Sequence, residues 1–111
     1  MSIEAMWAAR FQSNQGGQGA GIIVLETERV FGGDSWYYYV GSYRVDQGRL
    51  YTQLKVTHYA DNAESIFGPL REFTVALEGL LNMREINLKG QANQDPNLQI
   101  QLTMSRIAEL P

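Results

Sequence analysis

Along almost the whole of this chain apolar residues recur at every second position, in short segments separated by glycine, proline, asparagine and aspartate. An extended backbone sends successive side chains to opposite faces, so this pattern builds strands, and no window of a dozen residues sustains the 3.6 periodicity of a helix. Ile3, Ala5, Trp7, Ala9 and Phe11 share one face of the first segment, and the loop SNQGGQG after it suits a turn. In GAGIIVLE, the residues Ile22, Ile23, Val24 and Leu25 are apolar on both faces, which predicts a strand covered on both sides. VFGGDSWYYYVGSYRV reads as a short strand at Val30 and Phe31, a tight turn at Gly32, Gly33 and Asp34, and a second strand from Trp36 to Val45. Positive φ at such a turn calls for the paired glycines, and the Asp34 carboxylate suits an Asx turn.

After a turn at Asp46, Gln47 and Gly48, the residues Leu50, Thr52, Leu54, Val56 and His58 alternate with Tyr51, Gln53, Lys55, Thr57 and Tyr59. YADNAESIFGP interrupts the alternation, and Asp61 or Asn62 there suits the cap of a single helical turn ended by Gly68 and Pro69. The pattern resumes with Phe73, Val75 and Leu77, then Ile86, Leu88, Gly90 and Ala92, then Leu98, Ile100, Leu102 and Met104. Opposite the last two sets lie Glu85, Asn87, Lys89, Gln91, Gln99, Gln101 and Thr103, so those strands face water on one side. Seven clear strands and one short one, joined by short turns, predict an all-β, antiparallel up-and-down barrel of about eight strands with at most one short helical turn; closure removes exposed sheet edges. With 111 residues, no linker and no internal repeat, residues 1–111 read as one domain.

The composition excludes several function classes. There is no cysteine, hence no disulfide, thiol nucleophile or cysteine metal site. Nine Lys plus Arg against twelve Asp plus Glu give a formal net charge of −3, which makes no electrostatic case for nucleic acid or an anionic membrane. The apolar stretch 3–11 carries Glu4 and Arg10 and lacks a basic leader, so the expectation is a soluble, cytoplasmic protein. GGQGAG has the wrong spacing for a dinucleotide loop and precedes a strand, so it reads as a turn. His58 is the only imidazole and shares the face of Leu50, Leu54 and Val56, which predicts a core or rim histidine satisfied by one hydrogen bond. A triad drawn from Ser65, His58 and Asp61 lacks any nucleophile elbow. No catalytic, cofactor-binding or metal residues are expected.

The run Trp36, Tyr37, Tyr38, Tyr39, with Tyr43, is the most unusual local feature. Alternation separates Tyr37, Tyr39 and Tyr43 from Trp36, Tyr38 and Val40. We assign the first set, with Phe73 and Leu102, to the barrel interior. The second set, with Ile23 on the second strand or, in the opposite phase, Ile22 and Val24, is the candidate surface for a second copy or a protein partner. Small residues at Ala5, Ala9, Gly41, Gly90 and Ala92 leave a competing use for the interior, as the site of a small apolar ligand.

Taken in order, GAGIIVLE, VFGGDSWYYYVGSY, a strand ending in His-Tyr, FGPLREFTVALEG and INLKGQA resemble the GrlR family over nearly the whole chain, from about Trp7 to Leu110. Its founding members are negative regulators of type III secretion genes. The resemblance implies a small lipocalin-like (calycin-like) barrel that dimerises, and a non-enzymatic role in which a transcriptional activator is bound and inhibited. Gly32, Gly33, Asp34, Tyr39 and Gly41 match the family pattern and read as fold-defining. The hairpin through which founding members contact their regulator is acidic; here it reads VDQGR, leaving Asp46 and Arg49 as its charged residues.

Overall fold

The computed structural model describes residues 2–60 and 71–111, which form eight strands and no helix. In chain order these are β1 (Ala5–Ser13), β2 (Gln18–Glu26), β3 (Arg29–Gly33), β4 (Tyr37–Asp46), β5 (Arg49–His58), β6 (Glu72–Leu80), β7 (Glu85–Ala92) and β8 (Gln99–Glu109). Each pairs antiparallel with its successor, and β1 closes the barrel on β8. This is the eight-stranded up-and-down barrel that the alternation predicts. The helical turn expected near Asp61 lies outside the described residues, as do Ser65 and Asp61 of the imagined triad.

Inward residues from every strand meet in one core cluster. Trp7, Phe11, Tyr37, Tyr39 and Phe73 supply its largest side chains, with Ile23, Leu54, Ile86, Leu88 and Leu102 between them. The interior assignment thus holds for Tyr37, Tyr39, Phe73 and Leu102, while Tyr43 is half-buried at the core's margin. Gly41 and Gly90 do not vacate interior space. A Cβ on either would lie within 1.8 Å of the Gln53 or Ala76 carbonyl oxygen, so neighbouring backbone already occupies that room.

Three local readings are corrected. Ile23 is fully buried inside the barrel, so it is not part of any outer surface; Ile22 is exposed and Val24 half-buried on the outside. Gly32 and Gly33 belong to β3 and have no positive φ. Gly32 is small because a Cβ there would lie 1.9 Å from the Ile22 carbonyl oxygen across the β2–β3 pair. Finally, β2 turns into β3 through Thr27 and Glu28, at φ 50° and 64°, a left-handed pair with no glycine to announce it.

The Thr27–Glu28 and Gln47–Gly48 turns mark the lower end of the barrel. The turn after β3 and the top of β5 mark the upper end.

Candidate functional site: the outer wall of β1–β4

Strand register assembles the candidate surface. On the outside, Met6, Val24, Phe31 and Val40 form one cross-strand row, and Ala8, Ile22, Gly33 and Tyr38 the next. Trp36, just before β4, and Tyr59, just after β5, extend the surface upward. The Tyr38 and Tyr59 rings stand 6.3 Å apart. Ile22, Phe31, Trp36, Tyr38, Val40 and Tyr59 are each between 36% and 52% exposed. Aromatic side chains offer about 150–250 Å² each, so six side chains open to this degree present on the order of 500 Å² of mostly apolar surface. Ion pairs lie at its margins, Glu26–Arg29 at 2.7 Å and Lys55–Glu72 at 3.1 Å.

Asp34 holds the turn that carries Trp36 into β4. One carboxylate oxygen accepts the N–H groups of Trp36 and Tyr37, both at 2.8 Å, which is the Asx turn expected at this position. The other accepts the Tyr39 hydroxyl from inside the barrel. Tyr59 donates its hydroxyl to the Asp34 carbonyl at 2.5 Å and its N–H to the Trp36 carbonyl at 2.9 Å. Burial, reinforced by the Asp34 carboxylate, pushes the Tyr39 phenol far above its ordinary value, so it stays a donor. The knot ties the inner row to the outer one.

His58 is buried and stacked on Tyr37 at 4.9 Å and 26°. Its expected hydrogen bond is not found: neither ring nitrogen has a partner among the described residues. Among the described residues the stack on Tyr37 is what holds the ring. Asp46 and Arg49 flank the tight Gln47–Gly48 turn at the lower end, far along β4 from Asp34, and Asp46 lies 3.8 Å from the Arg44 guanidinium. The structure therefore separates the candidate hairpin from Val40, the lowest wall residue of β4, by the lower half of that strand. Among the described residues no group of three or more histidines and carboxylates is placed to hold a metal ion.

Trp36, Tyr38 and Val40 share the wall as their spacing predicts. Phe31 and Tyr59 belong to it too and were missed. Each is a single outward aromatic whose neighbours come from other strands, and only the alternation beside Val30 and His58 signals its face.

Compared with known protein families and with curated proteins, the sequence matches none.

Proposed function

We propose that the protein is a non-enzymatic regulatory binding protein that acts as a homodimer through the β1–β4 wall and, like the GrlR proteins it resembles, restrains a transcriptional activator by binding it. The exposed apolar wall carries this reading. A standard interface takes about 800 Å² from each partner, and homodimer interfaces are about 65% apolar, so roughly 500 Å² of apolar surface per copy is the amount required. The wall offers most of that amount with its charges at the edges, as an interface with a polar rim does. The activator-binding part rests on the GrlR resemblance. Asp46 and Arg49 stand where that family meets its partner, with one acid in place of an acidic run, so any activator held there differs in charge from those of the founding members.

Sedimentation velocity at micromolar concentration tests the dimer; a monomer throughout overturns it. Affinity capture from the native host tests the regulatory role. Recovery of a transcriptional regulator supports it, and its absence removes the activator from the reading while leaving the dimer standing.

A further inference from the structure

The outer wall of β5–β8 carries a second surface, unrelated to the apolar one. Its outward rows run Tyr51, Glu78, Lys89 and Gln101, then Gln53, Ala76, Gln91 and Gln99. All four glutamines are exposed, and among the described residues none of their amide heads has a partner. Glu78 and Lys89 are register partners across β6 and β7, yet among the described residues neither closes an ion pair. One free anion and one free cation thus cancel at the centre of the wall. Ala76 ends at Cβ amid these long side chains, and over it lies a depression of about 470 Å³ bounded by Tyr51 on one side and Lys89 on the other. A second depression, of about 660 Å³, is lined by Gln91, Gln99 and Gln101 and shares Glu78, Lys89 and Gly90 with the first. The two make one trough across four strands. At its β5 end the Arg44 guanidinium lies 4.1 Å from the Tyr51 ring centre and steadies the ring.

We infer that this trough binds a short, uncharged, extended β-linked oligosaccharide, at a site separate from the dimer wall. A glutamine amide donates and accepts at once, which is what a sugar hydroxyl requires of its partner. Glu78 accepts and Lys89 donates in the same row, and because their charges cancel the trough favours neither a polyanion nor a polycation. A protein partner fits it poorly, since the centre of a protein interface is apolar and depleted of charge. Tyr51 supplies the one apolar ring, suited to the C–H side of a sugar at the end of the chain. The spacing agrees with an extended glycan. Directly paired residues on neighbouring strands stand roughly 5 Å apart, close to the advance of one sugar along a β-linked chain. Tyr51, Glu78, Lys89 and Gln101 therefore meet four successive sugars, with Gln53, Gln91 and Gln99 alongside. The depressions are of the size that small-ligand sites have.

The experiment titrates cellotetraose into the isotope-labelled full chain and follows backbone and side-chain amide resonances by NMR. Shifts confined to β5–β8 and its borders, including the side-chain amides of Gln53, Gln91 and Gln101, are expected. Gln91→Ala with Gln101→Ala removes two sets of amide hydrogen bonds and weakens binding by about tenfold or more. Tyr38→Glu, on the opposite wall, leaves the affinity unchanged. The β-linked tetraglucuronate binds more weakly than cellotetraose by about tenfold, because its carboxylates meet Glu78 in a trough of zero net charge. No shift at millimolar cellotetraose overturns the site, and shifts centred on β2–β4 overturn its placement. Unchanged affinity in the folded double variant overturns the role of the amides, and equal binding of tetraglucuronate overturns the uncharged ligand. Where the double variant loses the spectrum of the folded barrel, Gln53→Ala at the other end of the trough takes its place: weakened binding supports the site, and unchanged binding overturns it.

Discussion

The two outer walls of the barrel are built by the same alternation around the same core and differ almost completely in chemistry. On β1–β4 the outward rows carry Met6, Val24, Phe31 and Val40, then Ala8, Ile22 and Tyr38. On the opposite side the corresponding rows run Tyr51, Glu78, Lys89, Gln101 and Gln12, then Gln53, Ala76, Gln91 and Gln99. Folding does not require the difference, because either wall closes the barrel equally well. An apolar outer row contributes nothing to the interior and exposes the monomer to association, so two such rows on one wall support the partner proposed there.

A charge placed on each wall gives the largest expected effect. Tyr38→Glu or Val40→Lys puts an unpaired charge into the proposed interface, which costs about 2–5 kcal/mol and raises the dimer dissociation constant by roughly thirtyfold or more. Gln101→Glu and Thr103→Lys on the polar wall leave the constant unchanged. Sedimentation equilibrium over a concentration series measures all four, and equal effects on both walls would erase the functional meaning of the contrast. Ile23→Ala sharpens it from within one strand: its side chain lies inside, so it lowers fold stability by about 2–5 kcal/mol, while Ile22→Ala lowers association.

The turns that end the two walls differ in the same sense. Asp34 binds two turn N–H groups and a buried phenol, whereas Asn82, between β6 and β7, caps the N–H groups of Arg84 and Glu85 in solvent. Asp34→Ala leaves the Tyr39 hydroxyl buried without an acceptor and costs about 3 kcal/mol in urea unfolding, against about 1 kcal/mol for Asn82→Ala. The pH response carries the same signature. Folding raises the Tyr39 phenol above its ordinary 10.0, so it favours the protonated form. Its contribution is complete below pH 10 and declines as pH rises above that value toward the folded one. Tyr39→Phe therefore flattens the alkaline fall in unfolding free energy; an unchanged slope places the proton elsewhere.

His58 tests whether the shared core is indifferent to the walls. Phenylalanine keeps the stack on Tyr37 and removes two buried ring nitrogens that lack partners among the described residues. His58→Phe raises thermal stability by about 1 kcal/mol with no change in dimer affinity. A loss of stability instead would mean that the imidazole is hydrogen-bonded.

How legible these features are in the sequence depends on whether one strand or several define them. Alternation within a strand places Trp36, Tyr38 and Val40 opposite Tyr37 and Tyr39 without help from elsewhere. In GAGIIVLE four successive apolar residues fit either phase, so nothing local distinguishes Ile23 from Ile22 and Val24; pairing to Met6 and Phe31 decides it. Gly32 and Gly33 look the same whether they serve a positive φ or a close approach, and only the Ile22 carbonyl beneath Gly32 separates the two. On β7 and β8 the polar wall is readable from the sequence, since Asn87, Lys89, Gln91, Gln99 and Gln101 tolerate only one phase. The Trp7, Arg106 and Thr27 donors that hold residues 2–4 were invisible because they come from three elements far apart in sequence.

The smallest expected effect concerns the feet of the walls. Thr27–Glu28 below β2 and β3 takes the left-handed conformation with two residues poorly suited to it, whereas Gln47–Gly48 below β4 and β5 has glycine at its second position. Thr27→Asn with Glu28→Gly supplies the Asn-Gly pair that such a turn favours and keeps the Thr27 N–H that donates to Glu4. The exchange stabilises by about 1 kcal/mol, and Gly48→Ala destabilises by a similar amount, since alanine must adopt φ 77°. Both are read as shifts in urea midpoint at constant slope. If the Asn-Gly turn instead lowers stability, the strain at Thr27 is offset by its side-chain contact with Glu4, and the lower end of the barrel depends on that contact more than on backbone comfort.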